Sequence, residues 1–557
     1  MATEFSVREI PFSRSGAWFG LSPVVGLARY AQDVHVVSHR NGMHAVLSLV
    51  PSRPTEIVAD PAVLTWRSGE SRIQAVFTSP DTLRISGNGL GLRVGAAERT
   101  LTPFTGTYFF TDPSGGAVFT SYETGHRFRV TVLSGQSRYV GAEDLVSADR
   151  AVVLGEEPWE LVIEEITTAR EPYRCDIGFD AAVTAAREEF ARFVDAVSPS
   201  PAAELACYVL WSATVAPAGF VTRPAVLMSK HWMDKVWSWD HCFNALALAP
   251  GAPELAWHQF QVVFDHQDAQ GALPDSITHS EVLRNFVKPP IHGWTLSRLR
   301  SRLPGGLPDP ELAYRQLSAW TSFWLDHRRA PGRPLPYYEH GNDSGWDNST
   351  VFLDERLVES ADLAAFLVLQ MKELAVLGAE VGDATAWGDR ADTMLAAMLE
   401  ELWDGSRFVS RGVVSGEYRA TASLLDLMPV VLGEHLPPEV FDQLCGGIAE
   451  HLTSVGPATE LPSSPYYEAD GYWRGPVWAP ATVLIEDGLR RGGAVELADL
   501  VSARFRATCE KSGFAENFDA LTGQGLRDRA YTWTASAYLL LSGADNAAAA
   551  GTSAPTP

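Results

Sequence analysis

The feature that most constrains this chain is a change of hydrophobic period near residue 178. Before it, Arg127-Phe128-Arg129-Val130-Thr131-Val132 alternates polar and apolar residues. That period of two puts every second side chain on one face of a half-buried strand. Ile73–Phe77, Leu83–Ile85 and Trp159–Glu164 repeat the pattern, with turn formers such as Ser79-Pro80-Asp81 and Asp112-Pro113-Ser114-Gly115-Gly116 between such runs. Many short strands at this spacing predict a β-sandwich over residues 1–177. After the change, Leu363, Leu367, Met371, Leu374 and Gly378 fall on one helical face, with Ser360 as the expected N-cap. Trp387, Ala391, Met394, Met398 and Leu402 repeat the pattern in the next helix. Residues 178–542 have room for about twelve helices of ~30 residues each, loops included. That number suits an α/α toroid. An α-solenoid gives a similar count, but a repeat of roughly 34 or 40 residues, the usual solenoid mark, is missing. The Ala-, Gly-, Ser-, Thr- and Pro-rich tail, 543–557, is expected to be disordered.

Charge narrows the partners. Lys and Arg number 44 against 68 Asp and Glu, a formal net charge of −24. Nucleic acid and anionic membranes call for a concentrated basic surface, so neither is expected as a partner. No run approaches the ~18 apolar residues of a membrane helix. The N-terminal Met1-Ala2-Thr3-Glu4-Phe5-Ser6-Val7-Arg8-Glu9 has no basic segment leading into an apolar one, as a signal peptide would. Cys175, Cys207, Cys242, Cys445 and Cys509 are odd in number and widely spaced, which fits free thiols in a reducing cytoplasm. No metal-ligand spacing stands out, so no catalytic metal or other cofactor is expected. Gly87-Asn88-Gly89-Leu90-Gly91 lacks the spacing of a dinucleotide-binding loop. The sequence does not give the oligomeric state.

Four stretches concentrate aromatic, amide and acidic residues. They are Trp237–Asn244; Phe264–Asp275 continuing to Lys288-Pro289-Pro290-Ile291-His292-Gly293-Trp294; Tyr337–Ser349; and Gly471–Trp478 with Gly513–Asp519. Indole rings pack on the C–H faces of a pyranose, while Asp, Asn, Gln and Arg bond its hydroxyls. A core alone would not gather so many acids. A small carbohydrate is therefore the expected partner.

Glycoside hydrolysis needs two carboxyl groups flanking the bond. One stays protonated to serve the leaving oxygen; an apolar wall such as Trp346 beside Asp347 raises its pKa. The other activates water or attacks directly. Asp240, Asp343, Asp347, Glu516 and Asp519 are the candidates, and spacing alone does not choose among them.

At these residues the chain resembles glycoside hydrolase family 63, which includes processing α-glucosidase and the bacterial mannosylglycerate and glucosylglycerate hydrolases. Five motifs in order carry the resemblance across roughly residues 205–540. They are Trp-Ser-Trp-Asp at 237–240, Pro-Pro-Ile-His at 289–292, Ser-Gly-Trp-Asp-Asn-Ser at 344–349, Tyr-Trp-Arg-Gly-Pro-Val-Trp at 472–478 and Phe-Ala-Glu at 514–516, trailed by Thr532-Trp533-Thr534-Ala535. The resemblance implies an all-α (α/α)6 barrel after the β-sandwich, and inversion at an α-glycosidic carbon. It implies Asp347 as general acid and Glu516 as general base. Trp237, Trp239, Asp240, Lys288, His292, Asp343, Trp346, Trp473, Arg474, Gly475, Trp478 and Trp533 are then the expected substrate-binding residues, with Asp240 gripping sugar hydroxyls.

Two departures bear on the substrate. The glycerate-sugar hydrolases are expected to carry Gln where Lys288 stands and Glu where Asp343 stands. Lys288 is then either a hook for a carboxylate or phosphate on the aglycone, or a surface lysine whose stem lies along apolar surface. The reading is an inverting α-glycosidase, an α-glucosidase by preference. A phosphorylase or a carbohydrate-binding protein on the same barrel are the alternatives.

Overall fold

The computed structural model describes residues 3–98, 106–142, 149–195, 197 and 199–551. The chain forms two compact units. One comprises Met1–Ala196, Cys207–Lys235 and Thr278–Glu281; the other comprises Val197–Ala206, Val236–Ile277 and Val282–Pro557.

The first unit is rich in antiparallel sheet. Its strands are β1 (Phe19–Gly26), β2 (Arg29–Ser38), β3 (His44–Pro51), β4 (Glu56–Ala59), β5 (Leu64–Ser68), β6 (Ser71–Ser79) and β7 (Thr82–Asn88). There follow β8 (Leu92–Ala96), β9 (Thr107–Thr111), β10 (Ala117–Ser121), β11 (Arg127–Ser134), β12 (Ser137–Val140), β13 (Ala151–Leu154) and β14 (Trp159–Glu165). Six pair in the order β1-β2-β3-β8-β13-β12, and eight in the order β4-β5-β6-β7-β14-β11-β10-β9. The four runs read as strands from their alternation lie in β11, β6, β7 and β14. The sheets meet through aromatic rings: Phe19 of β1 lies 5.1 Å from Phe77 of β6 and 5.4 Å from Phe128 of β11. The Gly-rich run ending β7 serves packing. A Cβ on Gly87 would stand 2.3 Å from the Trp159 ring, and the Trp159 indole donates to Leu90 O at 2.8 Å.

Helix α1 (Phe179–Val194) belongs with this unit, although it follows the boundary expected at 177/178. Ala182 and Val183 pack on Val63 and Val76, because the apolar face of α1 covers the outer side of β6. Helix α2 (Ala203–Ala213) is divided between the two units.

The second unit is helical. It contains α3 (Asp240–Leu248), α4 (Pro253–Phe264), α5 (His292–Arg302), α6 (Pro310–His327), α7 (Ala361–Val381) and α8 (Trp387–Leu402). It continues with α9 (Pro438–His451), α10 (Ala479–Arg491), α11 (Val495–Ser512) and α12 (Thr532–Gly551). A 3-10 segment, Leu424–His435, precedes α9; Pro429 inside it and Gly433 at φ 52° prevent a regular α-helix. Contacts run α3 to α5, α5 to α7, α7 to the 3-10 segment, then to α10, α12 and back to α3. The remaining helices sit against this circuit: α4 on α3, α6 and α8 on α7, α9 on the 3-10 segment, and α11 on α10 and α12. The apolar positions read from sequence in α7 and α8 are all buried. Ser360 is the N-cap of α7, but its hydroxyl turns to Asp362 rather than to the backbone.

The expected disordered tail differs. Helix α12 continues past Ser542 to Gly551, because Ala547–Ala550 carry the highest helix propensity of any residue. Residues 552–557 lie outside the described residues. No helix among the described residues is long and apolar enough to cross a membrane. None of the five cysteines forms a disulfide among the described residues.

Candidate active site

Short backbone pairings deliver the four stretches to one place in the helical unit. Val236–Trp237 pairs with Ser276–Ile277, which pairs with Val282–Leu283. Chain leaving this small sheet enters α3 with Trp239 at its N-cap and Asp240 in its first turn. A carboxylate there is favoured by the helix dipole. Next, a 3-10 turn, Gly341–Ser344, leads into Gly345 at φ +74°. A Cβ on Gly345 would stand 2.5 Å from the Trp239 ring, so only glycine lets the Gly-Trp-Asp turn fit beneath that indole. Val477 bridges both Ala458 and Phe518, which sets the Tyr-Trp-Arg-Gly-Pro-Val-Trp stretch alongside Phe-Ala-Glu. Glu516 N–H donates to Asp528 O at 2.7 Å, and the Trp533 indole donates to Glu516 O at 3.3 Å.

The indoles pack chiefly on one another. Trp473 and Trp478 are stacked at 4.1 Å and 6°. Trp346 lies 4.7 Å and Trp239 6.4 Å from Trp473, and Trp533 lies 5.3 Å from Trp478. All five are buried. They form a contiguous aromatic wall in which Trp473 and Trp478 cover each other's faces and the other rings meet tilted or edge-on. Trp237 is half-buried.

Three carboxyl groups converge on this wall. The Tyr472 hydroxyl is pushed well above its ordinary acidity by burial, then by the nearby charges of Glu516, Asp347 and Asp240. Burial raises Glu516 to about 8, with Asp528 adding to the rise and Arg527 and the Tyr472 hydroxyl opposing it. Burial likewise raises Asp240 to about 8; Lys288 opposes, while Asp275 and Asp347 add. Asp347 is raised by burial and by Asp275, with Lys288 and His340 opposing. Both oxygens of Glu516 and Oδ2 of Asp240 lack a close hydrogen-bond partner among the described residues. Burial disfavours the charged form, so each of the three carboxyls is held toward its protonated form, and the Asp347 charge adds to the rise of Asp240. One proton donor and one proton acceptor in a shared site is what acid/base hydrolysis needs. Among the described residues no three His, Cys, Asp or Glu side chains are grouped to hold a metal ion.

Several residues expected at the sugar are engaged by protein partners. His292 is fully buried, one ring nitrogen on Ser238 O at 2.9 Å and the other accepting from the Trp320 indole at 3.2 Å, so neither is left for a ligand. Asp343 is 1% exposed. It accepts from Val287 N–H at 3.1 Å, Glu339 N–H at 2.9 Å and Arg328 at 2.9 Å, which makes it a loop clasp. Asp519 caps a turn by accepting from Leu521 and Thr522 N–H. Trp533 holds the backbone of Glu516. Lys288 is no surface lysine: it is buried, pairs with Asp275 at 3.1 Å and donates to Asn342 O at 2.8 Å. Arg474 pairs with Glu468 at 2.9 Å, and Gly475 N–H donates to Thr459 Oγ1 at 3.0 Å.

Sequence reasoning missed Asp275, which acts on Asp240 and Asp347, and Tyr472, Arg527 and Asp528, which act on Glu516. It also missed Tyr531, whose hydroxyl is raised by burial and then by Glu516. Asp275 and Tyr472 lay inside the aromatic and acidic stretches and were within reach of that signal. Arg527 and Asp528 lie in a Gly-Gln-Gly-Leu-Arg-Asp-Arg run with no motif to mark them.

A profile of the mannosylglycerate hydrolase MGH1-like glycoside hydrolase domain matches residues 233–534. A mannosylglycerate hydrolase of Rubrobacter radiotolerans is 25% identical over 414 residues, 58% of this chain and 92% of that one. A GH63 mannosylglycerate hydrolase from Thermus thermophilus, solved with glucose, is 22% identical with a TM-score of 0.53, over 62% of this chain and all of the other. A bacterial glucoamylase complexed with acarbose is 10% identical with a TM-score of 0.63, over 98% of this chain and 95% of the other, a likeness of fold that takes in the sheet-rich unit. The chain belongs to the MGH1-like family and is a glycoside hydrolase.

Proposed function

We propose that this glycoside hydrolase is an inverting α-glycosidase, an α-glucosidase by preference, acting on a small α-glycoside within an (α/α)6 barrel. The convergence of Asp240, Asp347 and Glu516 on the Tyr472 hydroxyl carries the reading. The closed circuit of α3, α5, α7, the 3-10 segment, α10 and α12 supports the barrel, since six inner segments backed by outer helices are its plan.

In this mechanism Asp347 donates its proton to the glycosidic oxygen as the bond to the anomeric carbon breaks. Glu516 takes a proton from the water that attacks the same carbon from the opposite face. An α-glycoside then yields a β-anomer. Proton transfer by each positioned group is worth about 10²–10⁴ in rate. Asp240, fixed at the α3 N-terminus beside Trp239, grips hydroxyls of the sugar whose bond is cleaved. Phosphorolysis is the weaker reading. It would replace the base with an anion site, yet Glu516 stands there with Asp528 beside it, and the nearby Arg527 is paired with Asp470 at 2.5 Å. Five widely spaced cysteines with no disulfide among them support a reducing, cytoplasmic setting.

The roles separate with α-glucosyl and α-mannosyl fluoride, whose leaving group needs no acid. Asp347→Ala is expected to lose at least about 10²-fold on glycosides yet keep turnover of the fluoride, whereas Glu516→Ala loses both. Mannosylglycerate, glucosylglycerate and neutral disaccharides form the glycoside panel. Equal losses on fluoride and glycoside for Asp347→Ala would remove its assignment as acid.

A further inference from the structure

Two residues of the site adopt left-handed backbone that side chains other than glycine rarely occupy: Tyr472 at φ +63° and Arg527 at φ +59°. Such strain persists only where the surroundings over-determine it, and it gathers at working sites. Here the two strained residues meet each other. The Arg527 guanidinium lies over the Tyr472 ring, 4.8 Å from its centroid. It also pairs with Asp470 Oδ1 at 2.5 Å, donates to Asp470 O at 3.3 Å and donates to Asn517 Oδ1 at 3.4 Å. Asp470 lies two residues before Tyr472, and Asn517 directly follows Glu516. One side chain therefore ties the loop carrying the tyrosine to the loop carrying the carboxylate. The ion pair does not account for the arrangement by itself, since Asp470 is 62% exposed and exposed pairs contribute little.

We propose that Arg527 is a positioning residue for the base: it clamps Tyr472 so that the phenol hydroxyl faces Glu516, and it supplies the positive charge that balances the carboxyls gathered there. The proposal rests on Glu516 being the base. The groups facing Glu516 are Asp528, Arg527, Tyr472 and Tyr531, with Asp240 and Asp347 reaching the same tyrosine. Asp528 drives Glu516 toward its protonated, inactive form, while Arg527 and the Tyr472 hydroxyl oppose it. Removing Arg527 removes one of these and loosens the other.

The test uses a glycosyl fluoride as substrate in an Asp347→Ala background, where turnover needs no acid and rises with pH as Glu516 ionises. Asp240 ionises in the same range, but its shift comes from burial, Lys288, Asp275 and Asp347, so a change at Arg527 reads on Glu516. Arg527→Gln is expected to move the midpoint up by about one pH unit, and to slow turnover at neutral pH about tenfold. Arg527→Lys, which keeps the charge, returns the midpoint close to its starting value. Arg527→Gly loses the charge but relieves the left-handed backbone. It is expected to melt no lower than the parent while showing the same shift as Arg527→Gln. A midpoint unmoved in both neutral variants, with melting lowered, reduces Arg527 to a structural tie and overturns the proposal. Fluoride turnover that is independent of pH, or that survives Glu516→Ala, instead removes the base assignment and this proposal with it.

Discussion

Asn348 holds Trp473 by its backbone. The Asn348 amide oxygen accepts from Trp473 N–H at 2.9 Å, and its amide nitrogen donates to Gly471 O at 3.0 Å. Asn348 follows Asp347, so this pair of hydrogen bonds fixes the loop bearing Asp347 against the Tyr472–Trp473 loop. Asn348→Ala removes both hydrogen bonds and is expected to cost about 1–3 kcal/mol of stability. Asn348→Asp keeps the acceptor but sets a carboxylate against the Gly471 carbonyl. Both variants should lower kcat more than they raise KM, which steady-state kinetics beside denaturant unfolding will show.

Asp343 carries a prediction of the opposite kind. Its pair with Arg328 is buried, and removing Asp343 leaves Arg328 only the half-exposed Glu339 at 3.1 Å. The loss is therefore expected to approach that of a broken buried pair, about 3–5 kcal/mol. Asp343→Ala should therefore lower the melting temperature sharply. Whatever protein remains folded at low temperature should bind substrate with little change in KM. A large KM effect at unchanged stability would return Asp343 to the sugar-contacting residues.

The raised carboxyls make stability depend on pH with a definite sign. Asp240 and Glu516 are both pushed to about 8, far above the value of a solvated carboxyl. The folded state holds these protons where the unfolded chain has released them. Their contribution is fully present below the unfolded values near pH 4 and is lost as pH rises toward about 8. Unfolding free energy should fall across that window. Glu516→Gln and Asp240→Asn should flatten the fall and be more stable than the parent at pH 8 by about 1–3 kcal/mol, although inactive. Urea unfolding at pH 5 and pH 8 reads this directly.

Lys288 and Asp275 act on Asp347 with opposite signs. Lys288 favours ionised Asp347, whereas Asp275 favours the protonated form. The ratio of glycoside to glycosyl fluoride turnover cancels Glu516 and reports protonation of Asp347. That ratio should fall as pH rises. Lys288→Gln should move the fall to higher pH and Asp275→Asn to lower pH, each by roughly one unit. Shifts of the same sign in both variants would contradict the pairing.

How much of this was readable beforehand follows from what sequence encodes. Period and turn chemistry are local, so β6, β7, β11, β14, α7 and α8 were legible from their own residues. The tail misled because its Gly, Ser and Thr outweighed the Ala547–Ala550 run, which extends α12. Asp347 and Glu516 were singled out only through the family motifs that carry them, Ser-Gly-Trp-Asp-Asn-Ser and Phe-Ala-Glu; spacing did not separate them from Asp240, Asp343 and Asp519. His292 and Asp343 sat in equally suggestive motifs, yet their partners, Trp320 and Arg328, lie outside those motifs and meet them only on folding. For the same reason Arg527 was invisible: its importance lies in the Tyr472 ring beneath it, 55 positions away in the chain.

The central claim is inversion by Asp347 and Glu516, and proton NMR of the first sugar released tests it most directly. From an α-linked substrate, the account predicts the β-anomer first, equilibrating later, with release abolished in Asp347→Ala and Glu516→Ala. An α-anomer released first would mean retention through a covalent intermediate and would contradict the mechanism.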